Sequence, residues 1–239
     1  YWPAFLMSAG LDLPKTVFAH GWWTVEGQKM SKSLGNAISP QGMIDTYGVD
    51  QIRYALLREV SFGQDGDFSQ KSIITRINAE LANTIGNLAQ RTLSQIAKNC
   101  DGKVPQPGLL EDVDHALLAQ CGQEMLLAVR NEFDRYQFNK ALEIIVQAAN
   151  AANIYIDGQA PWTLKKTDTA RMQTVLYVLA EAIRNIAIML QPFCPEAAGR
   201  MLDQVAVSAD ARDFSHIGSL HGLKPDTVLP APAGVFPRI

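Results

Sequence analysis

Cysteine is scarce. Cys100, Cys121 and Cys194 stand far apart in 239 residues, and no Cys-x-x-Cys pair exists. A zinc knuckle or disulfide framework is therefore not expected, and this usage suits a reducing, cytosolic compartment. Basic charge is short as well: 21 lysines and arginines face 24 acidic residues, a formal net charge of −3. Without a global positive field, any nucleic-acid partner has to be held by a local patch. Long apolar runs are also lacking, because Ile186 to Leu190 is soon cut by Gln191 and Pro192. That falls short of the roughly 20 residues that cross a membrane. No signal-peptide pattern, internal repeat or low-complexity tract is read. Nor is there an initiator methionine: Tyr1-Trp2-Pro3-Ala4-Phe5 crowds three large apolar side chains into five residues. Such a start reads as an element entered midway, so the sequence is expected to be a fragment of a longer protein.

What is present organises into two parts. Pro3 suits the first turn of a short helix that Gly10 can end. Thr16 to His20 reads as a short strand. Trp22 to Val25 and Gln28 to Met30 read as a hairpin around Glu26-Gly27, with glycine supplying a positive φ. Ser39 and Pro40 start a helix that stops at Gly48. Asp50 is expected to cap the next, Gln51 to Arg58, with Ile52, Ala55 and Leu56 inward. Phe62 to Phe68 reads as a short strand or turn, closing a small α/β module over residues 1–68.

From Ser69 onward helical periodicity takes over. Ser69 caps a helix to about Asn99, with Phe68 stapled onto Ile73 and Ile74, Ile77, Leu81, Ile85 and Leu88 at helical spacing. Further helices are predicted from Asp112 (Leu117, Cys121, Met125 and Val129 inward), from Gln137 to Asp157, from Asp168 to Leu190 and from Glu196 to Gln204. Gly158 and Pro161 are expected to end the third of these five. The tail from Ser208 lacks periodicity and is predicted to lie extended across the surface. The fold class is mainly α: the small α/β module, then an antiparallel helical bundle over residues 69–239.

The chemistry concentrates in Lys29-Met30-Ser31-Lys32-Ser33, followed by Leu34-Gly35-Asn36. Two lysines three apart, with small hydroxyl side chains and a glycine, make a mobile cationic clamp suited to a polyphosphate. The loop leaves a hairpin and precedes a capped helix. The pentapeptide with its extension resembles the second signature motif of class I aminoacyl-tRNA synthetases. That resemblance implies an ATP-binding loop of Lys29, Met30, Ser31, Lys32 and Ser33, with His20-Gly21 near the adenine. In such enzymes a carboxylate attacks the α-phosphate and pyrophosphate leaves. A lysine over the β- and γ-phosphates stabilises the charge that builds there. Lys32 takes that role and Lys29 supports it. By itself, His20 reads equally as a structural histidine at a strand end.

A second constellation lies in the bundle. Asn83, Asn87, Arg91 and Gln95 fall four apart and give the first bundle helix a polar stripe, with Ile85, Leu88 and Ile96 opposite. A guanidinium and a carboxamide one turn apart can read the edges of unstacked bases. In Ala160-Pro161-Trp162 the proline fixes the backbone before an indole, which offers a stacking platform for a splayed base. Read alone, Asn87 and Arg91 also fit a solvated helix face, and Trp162 fits corner packing. Asn153 and Tyr155 read as packing residues.

Together, Asn87-Leu88-Ala89-Gln90-Arg91, the Ala160-Pro161-Trp162 corner, Tyr1-Trp2-Pro3-Ala4, His20-Gly21 and Val235-Phe236-Pro237-Arg238-Ile239 resemble methionyl-tRNA synthetases. The likeness runs through the whole chain and favours this family over isoleucyl, valyl, leucyl and cysteinyl relatives. It implies ATP with Mg²⁺ and methionine as substrates, tRNA(Met) as partner, CAU anticodon contacts from Asn87, Arg91 and Trp162, no membrane, and a cytoplasmic location. The early His-x-Gly-His element, most of the methionine pocket and the often zinc-binding insertion of that family have no match among His20, His115, His216, His221 and the cysteines. A ligase fragment that is inactive alone is the expectation, and a free-standing tRNA-binding module the alternative. Oligomeric state stays open.

Overall fold

The computed structural model describes residues 1–31 and 33–239, apart from the side chain of Ser219. The first helix, α1 (Trp2–Ser8), starts with Pro3 in its first turn and buries no residue. Residues 16–20, predicted as a strand, form no regular element and are exposed. Strand propensity needs a partner to express itself. Both sides of the nearest strand, β1 (Trp23–Val25), are taken by β2 (Gln28–Lys29) and β3 (Gly66–Phe68). β1 pairs antiparallel with β2, Thr24 opposite Lys29, and parallel with β3, Trp23 opposite Gly66. Glu26 and Gly27, both at positive φ, make the predicted tight turn.

Between β2 and β3 lie α2 (Pro40–Tyr47), capped by the Ser39 hydroxyl, and α3 (Val49–Glu59). Gly48, at φ 92°, allows one helix to end and the next to begin. Asp50 does not cap α3. Its carboxylate is buried and accepts the Ala197 N–H at 2.6 Å, so it caps the distant α11 (Pro195–Gln204). Leu56 is exposed rather than inward, and the fully buried Tyr54 takes that place in the core. Arg53 adds bonds to the carbonyls of Phe193 and Pro192 at 3.0 and 2.7 Å. The module is thereby docked on the bundle.

The first bundle helix runs without a break through α4 (Gln70–Arg76), a π-helical segment (Ile77–Gly86) and α5 (Asn87–Asn99). Its buried side chains Ile73, Ile77, Leu81, Ile85, Ala89 and Leu93 recur every four residues, and Ile74 lies only half-buried. Steps of four overshoot an α-helical turn of 3.6 residues. The wider π turn compensates and keeps the stripe on one face. The second helix also departs from one regular rod: α6 (Asp112–Ala119) and α7 (Met125–Asp134) flank a π segment (Gln120–Glu124) kinked at Gly122. Leu117, Cys121, Met125 and Val129 nonetheless all face the core.

α8 (Phe138–Gln159) continues through Gly158, which has open space around it, and ends at Ala160 in the left-handed region at φ 45°. Pro161 does not merely stop α8. It starts a separate short helix, α9 (Pro161–Thr167). Then comes α10 (Thr169–Leu190), which starts where predicted, with Asp168 as its cap, and is buried on every side from Val178 to Leu190. It is long and apolar enough to cross a membrane, contrary to the reading from Ile186–Leu190 alone, and 89% of its apolar window is buried inside the protein.

The tail, predicted to lie extended, instead passes through short 3-10 turns at Ala209–Ala211, Phe214–His216 and Ser219–His221 and is pinned to the bundle. Arg184 and Glu181, both buried, form an ion pair at 2.8 Å. Arg184 also donates to the carbonyls of His216 and Gly218, while Glu181 accepts the Leu223 N–H. Cys121 and Cys194 pack in the core as small hydrophobes, and burial pushes the Cys121 thiol up to about 12.

A polar knot joins three bundle helices. Asp114 of α6 accepts the Tyr155 hydroxyl of α8 at 2.5 Å and the Arg171 guanidinium of α10 at 2.5 and 2.8 Å. Burial raises the Asp114 carboxyl, but these donors outweigh it and hold the group below the ordinary 3.8. Its stabilisation is therefore complete above the ordinary value and is lost as pH falls through the lower folded one. Asp114→Asn should remove this acid-sensitive part of the stability curve and cost roughly 2–3 kcal/mol at neutral pH, because Arg171 loses its buried charge partner and keeps only Glu111 at 3.3 Å and Gln159 at 2.7 Å. Urea unfolding from pH 2 to 7 checks both, and an unchanged acid limb would refute the role.

Candidate functional site

Antiparallel pairing fixes the geometry of the lysine loop. Because Thr24 faces Lys29, the chain entering β1 (His20 to Trp22) and the chain leaving β2 (Met30, Ser31) lie at the same end of the hairpin. Asp67, on β3, accepts the Thr24 hydroxyl at 2.6 Å and the Gly27 N–H at 2.8 Å, which hold its carboxyl below the ordinary value. The hairpin tip is thus tied to the sheet. Past β2, Asn36 accepts the Ser31 N–H at 2.8 Å and donates to the Lys29 carbonyl at 3.1 Å. One side chain therefore closes both ends of the loop. Ser31 and Ser33 share a hydroxyl–hydroxyl bond of 2.7 Å, and Gly35 takes a positive φ. Lys29 and Ser33 are exposed, Met30 and Ser31 half-buried, and Lys32 lies outside the described residues.

His20 is exposed and, in its Nδ1-protonated form, donates to the Gly21 carbonyl at 2.8 Å. A Cβ at Gly21 would fall on the Gln64 carbonyl, so only glycine fits there. Both residues line a cavity of about 140 Å³ with Trp23, Leu57 and Phe138. Among the described residues no group of three or more His, Cys, Asp or Glu side chains could hold a metal ion.

The predicted polar stripe on the first bundle helix is largely spent on the protein itself. Asn83 accepts two bonds from Arg238, at 2.6 and 2.9 Å, and Gln95 accepts one from Asn99 at 2.7 Å. Arg91 pairs with Asp157 at 2.5 Å. Asn87 stays exposed, on the wall of a groove of about 370 Å³ between α5 and the tail at Val235, Phe236 and Arg238.

Trp162 projects from the first turn of α9, 41% exposed, and the Arg91 guanidinium carbon lies 5.6 Å from its ring centre. The structure thus brings Arg91 and Trp162 together, with Asn87 one turn away on α5. Lys165 and Lys166, exposed in the last turn of α9, supply the local positive charge that the net balance lacks. Asp67, Asn36, Asp157 and both of these lysines went unread as positioning or charged groups. Only Lys165-Lys166, an adjacent basic pair close after the indole, carried a signal in the sequence.

Residues 104–239 match the family model described as the anticodon binding domain of methionyl tRNA ligase. The chain belongs to the methionine–tRNA ligase family. Residues 1–93 match the model for class I tRNA synthetases (M). Against the methionine–tRNA ligase of Rhizobium meliloti (strain 1021), identity is 56% over 238 residues, covering 100% of this chain and 46% of that protein. The Mycobacterium tuberculosis methionyl-tRNA synthetase, solved in complex with methionyl-adenylate, superposes with a TM-score of 0.94. It is 50% identical, over 100% of this chain and 47% of that one. Its apo form gives 0.90 at 47% identity, with the same shares covered. The chain therefore spans about half the length of the methionine–tRNA ligases it matches. Those structures agree with the mainly helical fold and its small three-stranded sheet.

Proposed function

We propose that this chain serves methionine–tRNA ligation, the ATP-dependent activation of methionine and its transfer to tRNA(Met). Residues 1–68 contribute the end of the catalytic domain with its phosphate-binding loop, and residues 69–239 read the CAU anticodon. The observation that carries this reading is the exposed corner where Arg91 and Trp162 stack, beside Asn87, in a chain of this family. Trp162 offers its free face to a splayed base, and Asn87 and Arg91 meet base edges. Lys165 and Lys166 neutralise phosphates of the anticodon loop, a salt-sensitive contact.

At the other end Lys29, Met30, Ser31, Lys32 and Ser33 close over the β- and γ-phosphates, with His20-Gly21 beside the adenine. Lys32 stabilises the charge of the departing pyrophosphate and Lys29 supports it. The loop offers cations, hydroxyls and no carboxylate, so Mg²⁺ belongs to the nucleotide's phosphates. The chain spans about half the length of its relatives, and the family resemblance implies that most of the methionine pocket lies in the other half, so on this reading these 239 residues bind RNA without activating methionine. The three free cysteines, of which Cys121 and Cys194 are buried, fit a cytoplasmic setting.

Trp162→Ala and Arg91→Ala should each weaken binding of tRNA(Met) by the equivalent of about 1–3 kcal/mol, read by filter binding at fixed salt. Equal affinity of the unsubstituted chain for a transcript with a changed anticodon refutes the assignment. In a ligase of full family length carrying this sequence, Lys32→Ala should slow adenylate formation and leave methionine affinity unchanged. A large loss of methionine binding would assign Lys32 a different task.

A further inference from the structure

The end of the π-helical segment is held from outside, at the point where Asn87 begins. The Asn87 N–H meets two carbonyls, those of Ala82 and Thr84. Asn153, on α8, donates Nδ2 to the same Thr84 carbonyl at 3.1 Å and to Ala149 O at 2.9 Å. A carboxamide nitrogen carries two hydrogens, so both bonds form together. One turn further along α8, Asp157 grips Arg91, which itself lies one turn beyond Asn87. α8 therefore holds α5 by two rungs, the first on backbone and the second on a guanidinium. From another side the tail closes the same junction. A Cβ on Gly86 would lie 3.2 Å from the Leu81 carbonyl and 3.5 Å from Phe236.

The bond to Thr84 matters because a helix can pass from π to α turns at more than one residue. The wide turn changes which carbonyl each amide reaches, and an outside donor on one carbonyl selects one register. Moving that boundary by one residue exchanges a wide π step for an α step and turns Asn87 and Arg91 by roughly 20° around the helix axis. Their polar ends would then shift against the corner that Trp162 occupies. We propose that Asn153 is a specificity-determining positioning residue, which fixes where the π-helical segment becomes α5 and so aims Asn87 and Arg91 at the RNA bases. The inference rests on the reading of this corner as the anticodon site.

The test compares two RNA hairpins on the 239-residue chain, one with a CAU loop and one changed at a single loop base. Asn153→Asp keeps the side-chain shape and removes the donor. Asn153→Ala removes donor and acceptor together, and serves if the aspartate variant fails to fold by circular dichroism. The affinity for the CAU hairpin should fall roughly tenfold, as for loss of a half-buried hydrogen bond, while the changed hairpin is bound as before. The preference between the hairpins then narrows, which a purely structural role would not bring about. A folded variant with lower melting temperature and an unchanged preference overturns the proposal. Trp162→Ala runs alongside. If it abolishes the preference and the Asn153 variants keep it, only the positioning role fails. If it too leaves the preference intact, the anticodon reading fails with it.

Discussion

Burial of α10 on every side from Val178 to Leu190 is the constraint from which the rest of this structure follows. A helix without a solvent face needs neighbours all round, and its polar side chains must find partners inside the protein. Those partners are the irregular segments. Thr174 accepts the Gly108 N–H of the segment between α5 and α6 at 2.8 Å, Glu181 and Arg184 hold the tail near Leu223 and Gly218, and Gln191 donates to the Arg212 carbonyl at 2.6 Å. Segments rich in glycine and proline thereby acquire fixed positions. α5, α8 and α9 pack against the same central helix, and the corner of Arg91 and Trp162 is built on that packing.

The two candidate sites rest on different kinds of support. The lysine loop is held locally, by Asn36 across its own ends and by Asp67 on the neighbouring strand. Local closure suits the nucleotide-binding role proposed for this loop. The corner of Arg91 and Trp162 is held by long-range bonds between helices and presents preset geometry. Preset geometry favours discrimination between bases, since a rigid reader loses little entropy on binding and meets a wrong base with unpaired groups.

Much of this was legible in the sequence where the signal was local. Ser39-Pro40, Gly48, Glu26-Gly27 and Ser69 did what capping and turn chemistry dictate. The stripe through Ile77, Leu81 and Ile85 is buried as its period implied. What stayed hidden was set by tertiary context. Asp50 looked like a cap for its own helix, yet it serves a helix almost 150 residues away (Ala197, at a separation of 147). Residues 16–20 had strand character without a strand to pair with. Asn83 and Gln95 belonged to a polar stripe on paper and turn out to be bonded to the protein itself. The motif residues of the candidate site were readable by resemblance. Their supports, Asn36, Asp67, Asn153 and Asp157, were not, because a lone polar residue gives no sign of what it will reach.

Whether RNA bases are read at the α5–α9 corner decides the function proposed for this chain. Side-chain NMR signals of Asn87, Arg91 and the Trp162 indole, followed during titration with a CAU hairpin, test this most directly. The predicted result is a cluster of shifts at these three residues and their neighbours, much reduced when the hairpin carries a changed anticodon. Shifts centred elsewhere, for instance on the tail cavity near His216 and His221, or the same pattern with either hairpin, would contradict it.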